Sequence, residues 1–519
     1  MDTKILKQKF NYLTYILSLD SDSRLIKKTF RGKIPSHKSE RQILVEFELP
    51  PDSLFGSAHF LPILAEELNA NCVSYQMAPQ TFLWRIKRIV YFKFSSASKF
   101  IGKSFVYFRP INGDSKPNRK SASPTSKEKA LEHCYKDIRI GDLAYDWFLA
   151  KYHEPTVDVA DPRFQLIMQQ FESYVDQFLK YLKSNTVVAI CVSHSVYHFA
   201  IPSRIGINQE IPVYQISLES VFFLNADNPI AYQSEKFYPI DFNGVSQKNK
   251  ELGIAKAKER LEQRTKGVAG VDMPYMSKSA FAKSGNKYSV KTGKSKFKIL
   301  VAAHDFYDSP HIFGDFFYPD FLEWIHALIR ISKNCSYEWY IKTHPFLRGN
   351  GREILQKAIS ESSDFTLLPQ DMSHPEVIDL GITHALTVYG SIAHEYPILG
   401  IPVINASRNN PHSAYSFSFT PKSREEYEQI LLNIGNFSFE IEKEEIYQYY
   451  FMKHIYQGKS WLISDYDKYV LETGFPEIQV SRRVFSYLIE EDLIFPEVDI
   501  KYRVISFIRN RSYMIEQPN

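Results

Sequence analysis

Cysteine is scarce in this chain: Cys72, Cys134, Cys191 and Cys335 are the only four, far apart and in no CxxC spacing. That excludes a zinc ribbon or a disulfide framework and fits a reducing compartment. Long apolar runs are also missing, since nothing approaches the roughly 18 residues that span a bilayer. Charges interrupt the opening stretch MDTKILKQKFNYLTYILSLDSDSR, so it lacks the continuous apolar segment of a signal peptide and the expected location is the cytoplasm. Net charge is small, +4 over 519 residues, with Lys and Arg interspersed among Asp and Glu. Neither a nucleic-acid groove nor an acidic tail follows from that balance, and no nucleic-acid partner is expected. No internal sequence repeat is present.

What the chain has in quantity is apolar and aromatic residue: 44% hydrophobic, with 38 Phe and 33 Tyr. Single cores stop growing near roughly 250–300 residues, so this length predicts two domains. Ile43 to Leu49 (ILVEFEL) reads as a first buried strand, PPDSLFGSAH as a loop, Phe60 to Leu68 as a helix and Asn71 to Gln76 as a strand. Asp161-Pro162 is a helix start, and the helical spacing runs to about Leu182 before the strands Val187 to Val192 and Val213 to Ile216. The segment from Glu251 to Gly267 is charged and helical, and a basic Ser/Gly/Lys stretch ends near Lys298.

The same logic restarts there, with strands at Ile299 to Ala303, Tyr337 to Ile341, Phe365 to Leu368, His384 to Val388 and Pro402 to Ile404, and a helix over Phe321 to Ile331. All-apolar strands alternating with helices predict parallel sheets covered on both faces. The expected division is an extension over 1–40, a Rossmann-like domain over 41–285, a second over 286–455, and helices over 456–519 that cross back to the first. Two basic, Ser-rich stretches, Lys116 to Lys129 and Lys283 to Lys298, read as solvated loops; the sharper reading is attraction to an anionic membrane surface or a polyanionic acceptor.

The stretch Thr387 to Val403 (TVYGSIAHEYPILGIPV) joins a strand end, a small-residue turn, a helix and another strand. Gly390 permits close backbone approach, the amides of Ser391 and Ile392 open the helix, and such an N-terminus attracts phosphate. Ser391 adds a hydroxyl, and Glu395 on the same face is placed to accept hydrogen bonds from ribose or sugar. A glycine-serine turn standing alone more often only caps a helix. This run resembles the donor domain of GT-B glycosyltransferases, where a turn and helix with Ser or Thr and a downstream Glu precede a "GxPV" strand.

Tyr340 to Pro345 (YIKTHP) sets Lys342 and His344 after a strand, at the carboxyl edge where open α/β sheets bind ligands. Lys342 reads as a point charge for a diphosphate and His344 as a phosphate donor; the bland readings are a solvated strand end and a loop-packing residue. The "K-x-H-P" element resembles that of bacterial sialyltransferase-like and capsule polysaccharide transferases. The loop after Ile299 to Ala303 carries His304, Asp305, Asp308 and His311; sugar or phosphate hydrogen bonding is the preferred role over metal ligation. Phe313, Phe316, Phe317 and Tyr318 read as packing.

In the first half, His194, Tyr197 and Arg204 followed by Glu210-Ile211-Pro212-Val213 resemble the acceptor-side "SH-x-x-Y…R…GIPV" pattern of capsule-type transferases, and Ile138 to Tyr152 resembles another stretch of that group. Asp142 and Asp146 are candidates for acceptor binding or base chemistry. A transferase needs a base for the acceptor hydroxyl, usually a carboxylate or His. Asp52, His59, Asp142 and His194 are candidates, with His194 preferred. Arg264 and Gly267 read as part of a surface helix.

The resemblance is therefore to bacterial capsule or surface polysaccharide transferases of GT-B type, including those using CMP-activated acidic sugars such as Kdo. It implies an α/β fold with two Rossmann-like domains facing a central cleft and a helical C-terminal tail. It implies donor binding by Lys342, His344, Tyr389, Gly390, Ser391, Ile392 and Glu395, acceptor binding by His59, Tyr197 and Arg204, and catalysis among His194, Asp142, His304 and Asp305. The partners implied are a nucleotide sugar and a glycan or glycolipid acceptor, with peripheral attachment to a membrane left open; no cofactor or metal is expected. The donor turn reads Tyr-Gly-Ser rather than a two-serine or Gly-rich form. The rival readings are a nucleotide-sugar epimerase or polyol-phosphate transferase on the same architecture, and a noncatalytic polysaccharide-assembly protein.

Overall fold

A computed structural model describes residues 37–46, 51–77, 104–108, 124–271, 279–286, 288–290, 292–344, 347–360, 362–457, 459–466, 468–469 and 484–517. Most of the expected extension, the strand end at Phe47 to Leu49, the basic stretch up to Ser123 and Pro345 lie outside these residues.

The first sheet has six strands: β1 (Gln42–Glu46), β2 (Asn71–Met77), β3 (Ser104–Phe108), β4 (Val187–Val192), β5 (Val213–Ile216) and β6 (Val221–Leu224), in the order β3-β2-β1-β4-β5-β6. All neighbours are parallel except β6, which runs antiparallel to β5. The second has five strands, β7 (Lys298–Ala302), β8 (Glu338–Lys342), β9 (Phe365–Leu367), β10 (His384–Thr387) and β11 (Val403–Asn405), ordered β9-β8-β7-β10-β11 and wholly parallel. The fold class is thus α/β with two doubly wound, Rossmann-like sheets. Each sheet reverses strand order once, at β1/β4 and at β7/β10, and ligands of open α/β sheets bind beyond the carboxyl ends at such a reversal.

Alternation along the strands divides the cores. Ile43 and Val45 face α1 (Pro51–Leu68), whereas Leu44, between them, faces α2 (Gly141–Tyr152) and α3 (Pro162–Ser184). Helix α3 begins as its sequence predicts, with Asp161 accepting the Arg163 amide at 2.7 Å and Pro162 in the first turn. Residues 51–59, expected as a loop, are instead the first half of α1. Gly56, inside this helix, is required by contact: a Cβ there would lie 2.3 Å from the Ser217 carbonyl oxygen.

Helix α4 (Ile201–Asn208) follows β4, and α5 (Gln247–Thr265), despite its charge, is not a free surface helix. Its Gly253, Ala257 and Leu261 are buried, and Gly253 lies so close to Phe451 that a Cβ would meet its ring at 2.1 Å. In the second half, α6 (Phe321–Ser332) and α7 (Ile392–Ile398) flank the sheet, α8 (Lys443–Phe451) packs on α5, and α9 (Glu497–Asn510) returns to α1. There Phe507 meets Phe60 at 6.1 Å between ring centroids, and Lys501 pairs with Glu66.

The two sheets are tied through α2. Asp320, the N-cap of α6, accepts hydrogen bonds from Tyr145 and Thr156, each at 2.6 Å. Asp146, the next residue of α2, accepts from His311 Nδ1 at 2.5 Å, and Lys127 pairs with Glu323. Among the described residues, no helix is long and apolar enough to cross a membrane.

Candidate functional site

The loops after β4 and β7, with the turn after β10, meet at one seam. Tyr197 sits there in the left-handed region, φ 53°, a costly conformation for a residue with a Cβ. Its ring packs on Trp147 of α2 at 5.3 Å, with its hydroxyl beside Ser309 and near Asp308, Asp146 and Arg348. Tyr389, on the turn after β10, shares Asp308 and Asp146 as neighbours and also stands near Tyr197 and Asp305. Burial holds both phenols above their usual range, so each is a neutral hydrogen-bonding group.

His304 is locked by the second sheet. Its Nε2 accepts the Val388 amide at 3.3 Å, which leaves the ring proton on Nδ1, and burial pushes its imidazole down to about 3. It is a neutral, positioned group stacked on Phe321, with ring centroids 4.8 Å apart, and tilted against Tyr389 at 4.6 Å. Asp305 pairs with Arg348, and His344 stands exposed within the field of Asp305, Asp308 and Arg348. Arg348, three residues past the K-x-H-P element, was not anticipated; an arginine soon after a strand-end Lys and His was the available signal.

The four potential ligands of the loop after β7 do not converge: His304 meets the β10 end, His311 meets Asp146, Asp305 pairs with Arg348, and exposed Asp308 lies 3.9 Å from the same arginine. Among the described residues, no group of three His, Cys, Asp or Glu is placed to hold a metal ion.

Gly390 is set by contact, because its amide donates to Thr387 Oγ1 at 3.0 Å and a Cβ would lie 2.7 Å from that oxygen. Ser391 is half-buried and Ile392 buried at the head of the seven-residue α7. Glu395 is 2% exposed, and its Oε1 accepts the guanidinium of Arg264, reaching across from α5, with the Nε contact at 2.8 Å. The carboxylate read as a ribose acceptor is therefore one half of a buried ion pair, and Arg264, read as a surface residue, is the other. Gly267 ends α5 with φ 88°, a glycine-favouring turn. Lys342 is likewise turned inward: its ammonium donates to the carbonyls of Gln370 at 3.1 Å and Met372 at 2.6 Å, and burial lowers it to about 8. It braces the loop after β9 rather than standing at an open strand end.

In the first half of the chain, Asp142 and Arg204 form a two-pronged buried pair at 2.6 and 2.7 Å. Burial opposes the charge of Asp142, but the Arg204 guanidinium wins and holds the carboxyl down at about 2. That makes it a poor proton acceptor near neutral pH. His59 lies on α1 with its ring edge-on to Phe55 at 5.0 Å, not on a cleft loop, and Asp52 belongs to the first turn of the same helix. His194 follows β4, with Nδ1 2.7 Å from Ser193 Oγ. Ser193 in turn donates to Glu46 at the end of β1. Glu46 was passed over as a strand residue; an acid closing an apolar strand was the signal.

No protein-family model matches the chain, and no curated protein matches it. Solved structures share its general α/β outline weakly. The beta Kdo 2,4 transferase KpsC of Thermosulfurimonas dismutans aligns at 12% identity over 51% of this chain and 79% of its own, TM-score 0.31. The UDP-GlcNAc 2-epimerase of Neisseria meningitidis, bound to UDP-GlcNAc, aligns at 13% identity over 80% of this chain and 99% of its own, TM-score 0.22. The wall teichoic acid polymerase TagF aligns at 9% identity over 95% of this chain and 98% of its own, TM-score 0.19.

Proposed function

We propose that this protein is a glycosyltransferase that moves a sugar from a nucleotide-activated donor to a hydroxyl of a growing surface glycan, with a CMP-activated acidic sugar such as CMP-Kdo as the leading donor. One observation carries the reading. Polar groups from both halves gather around a single seam: Tyr197 from the loop after β4 and Asp146 from helix α2 in the first, and Asp305, Asp308, His344 and Tyr389 from the carboxyl-end loops of the second sheet. A two-substrate transfer needs that arrangement, since most of its acceleration comes from holding donor and acceptor in register and stabilising the leaving phosphate. His344 and Arg348, both open to solvent, are the groups assigned to the phosphates, while neutral His304 and Tyr389 orient the sugar.

The test is the melting temperature of the protein with CMP, UDP, GDP and CDP, with His344→Ala alongside. A ligand bound only by the folded state raises it. Stabilisation by one nucleotide, lost in the variant, is the expected result. Interconversion of UDP-GlcNAc to a free epimer without acceptor assigns the protein to the epimerases instead, and stabilisation by none of the four removes the transferase reading.

A further inference from the structure

At the strand-order reversal of the first sheet, the end of β1 faces the end of β4, and one hydrogen-bonded unit bridges them. Glu46 is 4% exposed. Its Oε2 accepts the Ser193 amide at 2.7 Å and the Ser193 hydroxyl at 2.9 Å. Because the serine's proton is directed to Glu46, its oxygen is left to accept from His194 Nδ1, 2.7 Å away. Glu46 is thus held rigidly by one oxygen.

The other oxygen, Oε1, is buried and makes no hydrogen bond. It belongs to a small recess lined by Glu46, Tyr75, Gln76, Met77, Phe199 and Pro202, with about 10 Å³ of water-accessible space, close to what one water or one hydroxyl needs. The hydroxyl of Tyr75, which pairs in register with Glu46 and lies on the same face, is equally buried and unpartnered. Buried polar atoms are nearly always satisfied, so the orphaned Oε1 of Glu46 and the orphaned hydroxyl of Tyr75, its register partner, call for a polar occupant at this ligand-binding edge. An alcohol suits them: its proton meets Glu46 Oε1, and its oxygen accepts from the Tyr75 hydroxyl.

We infer that Glu46 is the proton acceptor of the transfer and that the recess at Glu46 and Tyr75 receives the attacking hydroxyl of a sugar or polyol acceptor. The inference rests on the transferase reading given above. In the step, the acceptor O–H proton passes to Glu46 Oε1 while the acceptor oxygen bonds to the anomeric carbon. The bond from that carbon to the phosphate oxygen breaks, and its electron pair leaves with the nucleotide. The recess admits the hydroxyl and leaves the acceptor ring outside. Ser193 is a positioning residue that fixes the carboxylate. Burial raises the Glu46 carboxyl to about 7, against partial relief from Ser193, which suits a base working near neutral pH.

The experiment measures nucleotide release by the intact chain from CMP-Kdo and UDP-GlcNAc, with water and then glycerol as acceptor, from pH 5.5 to 9. Wild type is expected to gain rate as pH rises through about 7. Glu46→Gln, nearly isosteric, is expected to lose about 10²- to 10⁴-fold in kcat and the pH dependence with it, while its nucleotide-induced rise in melting temperature stays at the wild-type value. Glu46→Asp, which shortens the reach but still titrates, retains the pH dependence at a lower rate. A Glu46→Gln protein with wild-type kcat, or a wild-type profile flat across this range, overturns the inference and leaves the transferase reading standing. A wild type that neither binds nor cleaves any nucleotide sugar overturns both. Should Glu46→Gln fail to fold, the wild-type profile and Glu46→Asp decide the matter.

Discussion

The Asp320 carboxylate that starts helix α6 in the second half of the chain also accepts the Tyr145 hydroxyl from α2 in the first, at 2.6 Å. It takes the Thr156 hydroxyl at 2.6 Å and the Glu323 amide at 2.9 Å as well. One helix cap is therefore also a tie between the sheets. Burial raises the Asp320 carboxyl, and these donors together with nearby Lys127 oppose that rise. Since α6 follows the loop of Asp305 and Asp308, the cap sets where that loop meets Tyr197.

Replacing Tyr145 by Phe deletes one donor from a buried carboxylate and leaves the rest of the ring in place. The expected loss is about 1–3 kcal/mol, read as a lower urea midpoint with an unchanged slope. A midpoint equal to wild type would show that the tie is not stabilising.

The Asp142 and Arg204 pair predicts a sharper result. Removing one partner of a buried pair strands the other, so Arg204→Met is expected to cost about 3–5 kcal/mol, whereas the double change Asp142→Leu with Arg204→Met recovers much of it. The folded carboxyl of Asp142 lies at about 2, below its ordinary 3.8. Its stabilisation is therefore fully present above pH 3.8 and lost as pH falls through about 2. Acid unfolding followed by tryptophan fluorescence should show this component in wild type and lack it in Asp142→Asn.

Much of the fold was legible because it is written in apolar periodicity. Val187–Val192 and Val213–Ile216 form strands at the positions their sequences predict, and β7 to β11 each lie within a residue or so of the expected limits. The first half of α1 was not legible, because Pro51 and Gly56 suggest a loop until the Ser217 carbonyl against Gly56 is known. The site was legible as a set of loops but not as a set of partners. Local sequence puts Lys342 and Glu395 at ligand-binding edges, yet it cannot show that the carbonyls of Gln370 and Met372 engage the one and Arg264, 131 residues away, the other. Glu395→Ala consequently strands a buried arginine and confounds stability with activity, which makes exposed His344 the cleaner probe of the proposed donor site.

Glu46 makes a prediction on stability that is independent of turnover. Its folded carboxyl is raised to about 7 from an ordinary 4.5, so the folded state holds the proton more tightly than the unfolded chain. The sign is opposite to that of Asp142: wild-type stability falls as pH rises from 4.5 to about 7 and then levels off. Glu46→Gln, with no proton to lose, should match wild type near pH 4 and exceed it by about 1–3 kcal/mol at pH 8. Parallel stability curves for the two proteins between those limits would refute the raised carboxyl.

Gly390 can be tested for two roles at once. A methyl group there would meet Thr387 Oγ1 at 2.7 Å, the atom that accepts the Gly390 amide and stands 3.3 Å from His304 Nε2. Gly390→Ala should therefore displace Thr387, disturb His304, and cost about 1–3 kcal/mol through overpacking. If packing is all that the glycine serves, removing the obstructing hydroxyl with Thr387→Ala in the Gly390→Ala background restores nucleotide-induced stabilisation along with the fold. If the glycine is needed so that a phosphate can approach the bare backbone, the double variant recovers its melting temperature but still gains nothing from nucleotide. The second outcome is expected, since a Cβ at 390 remains on the turn whichever side chain stands at 387, and thermal melts of the two variants with and without nucleotide separate the cases.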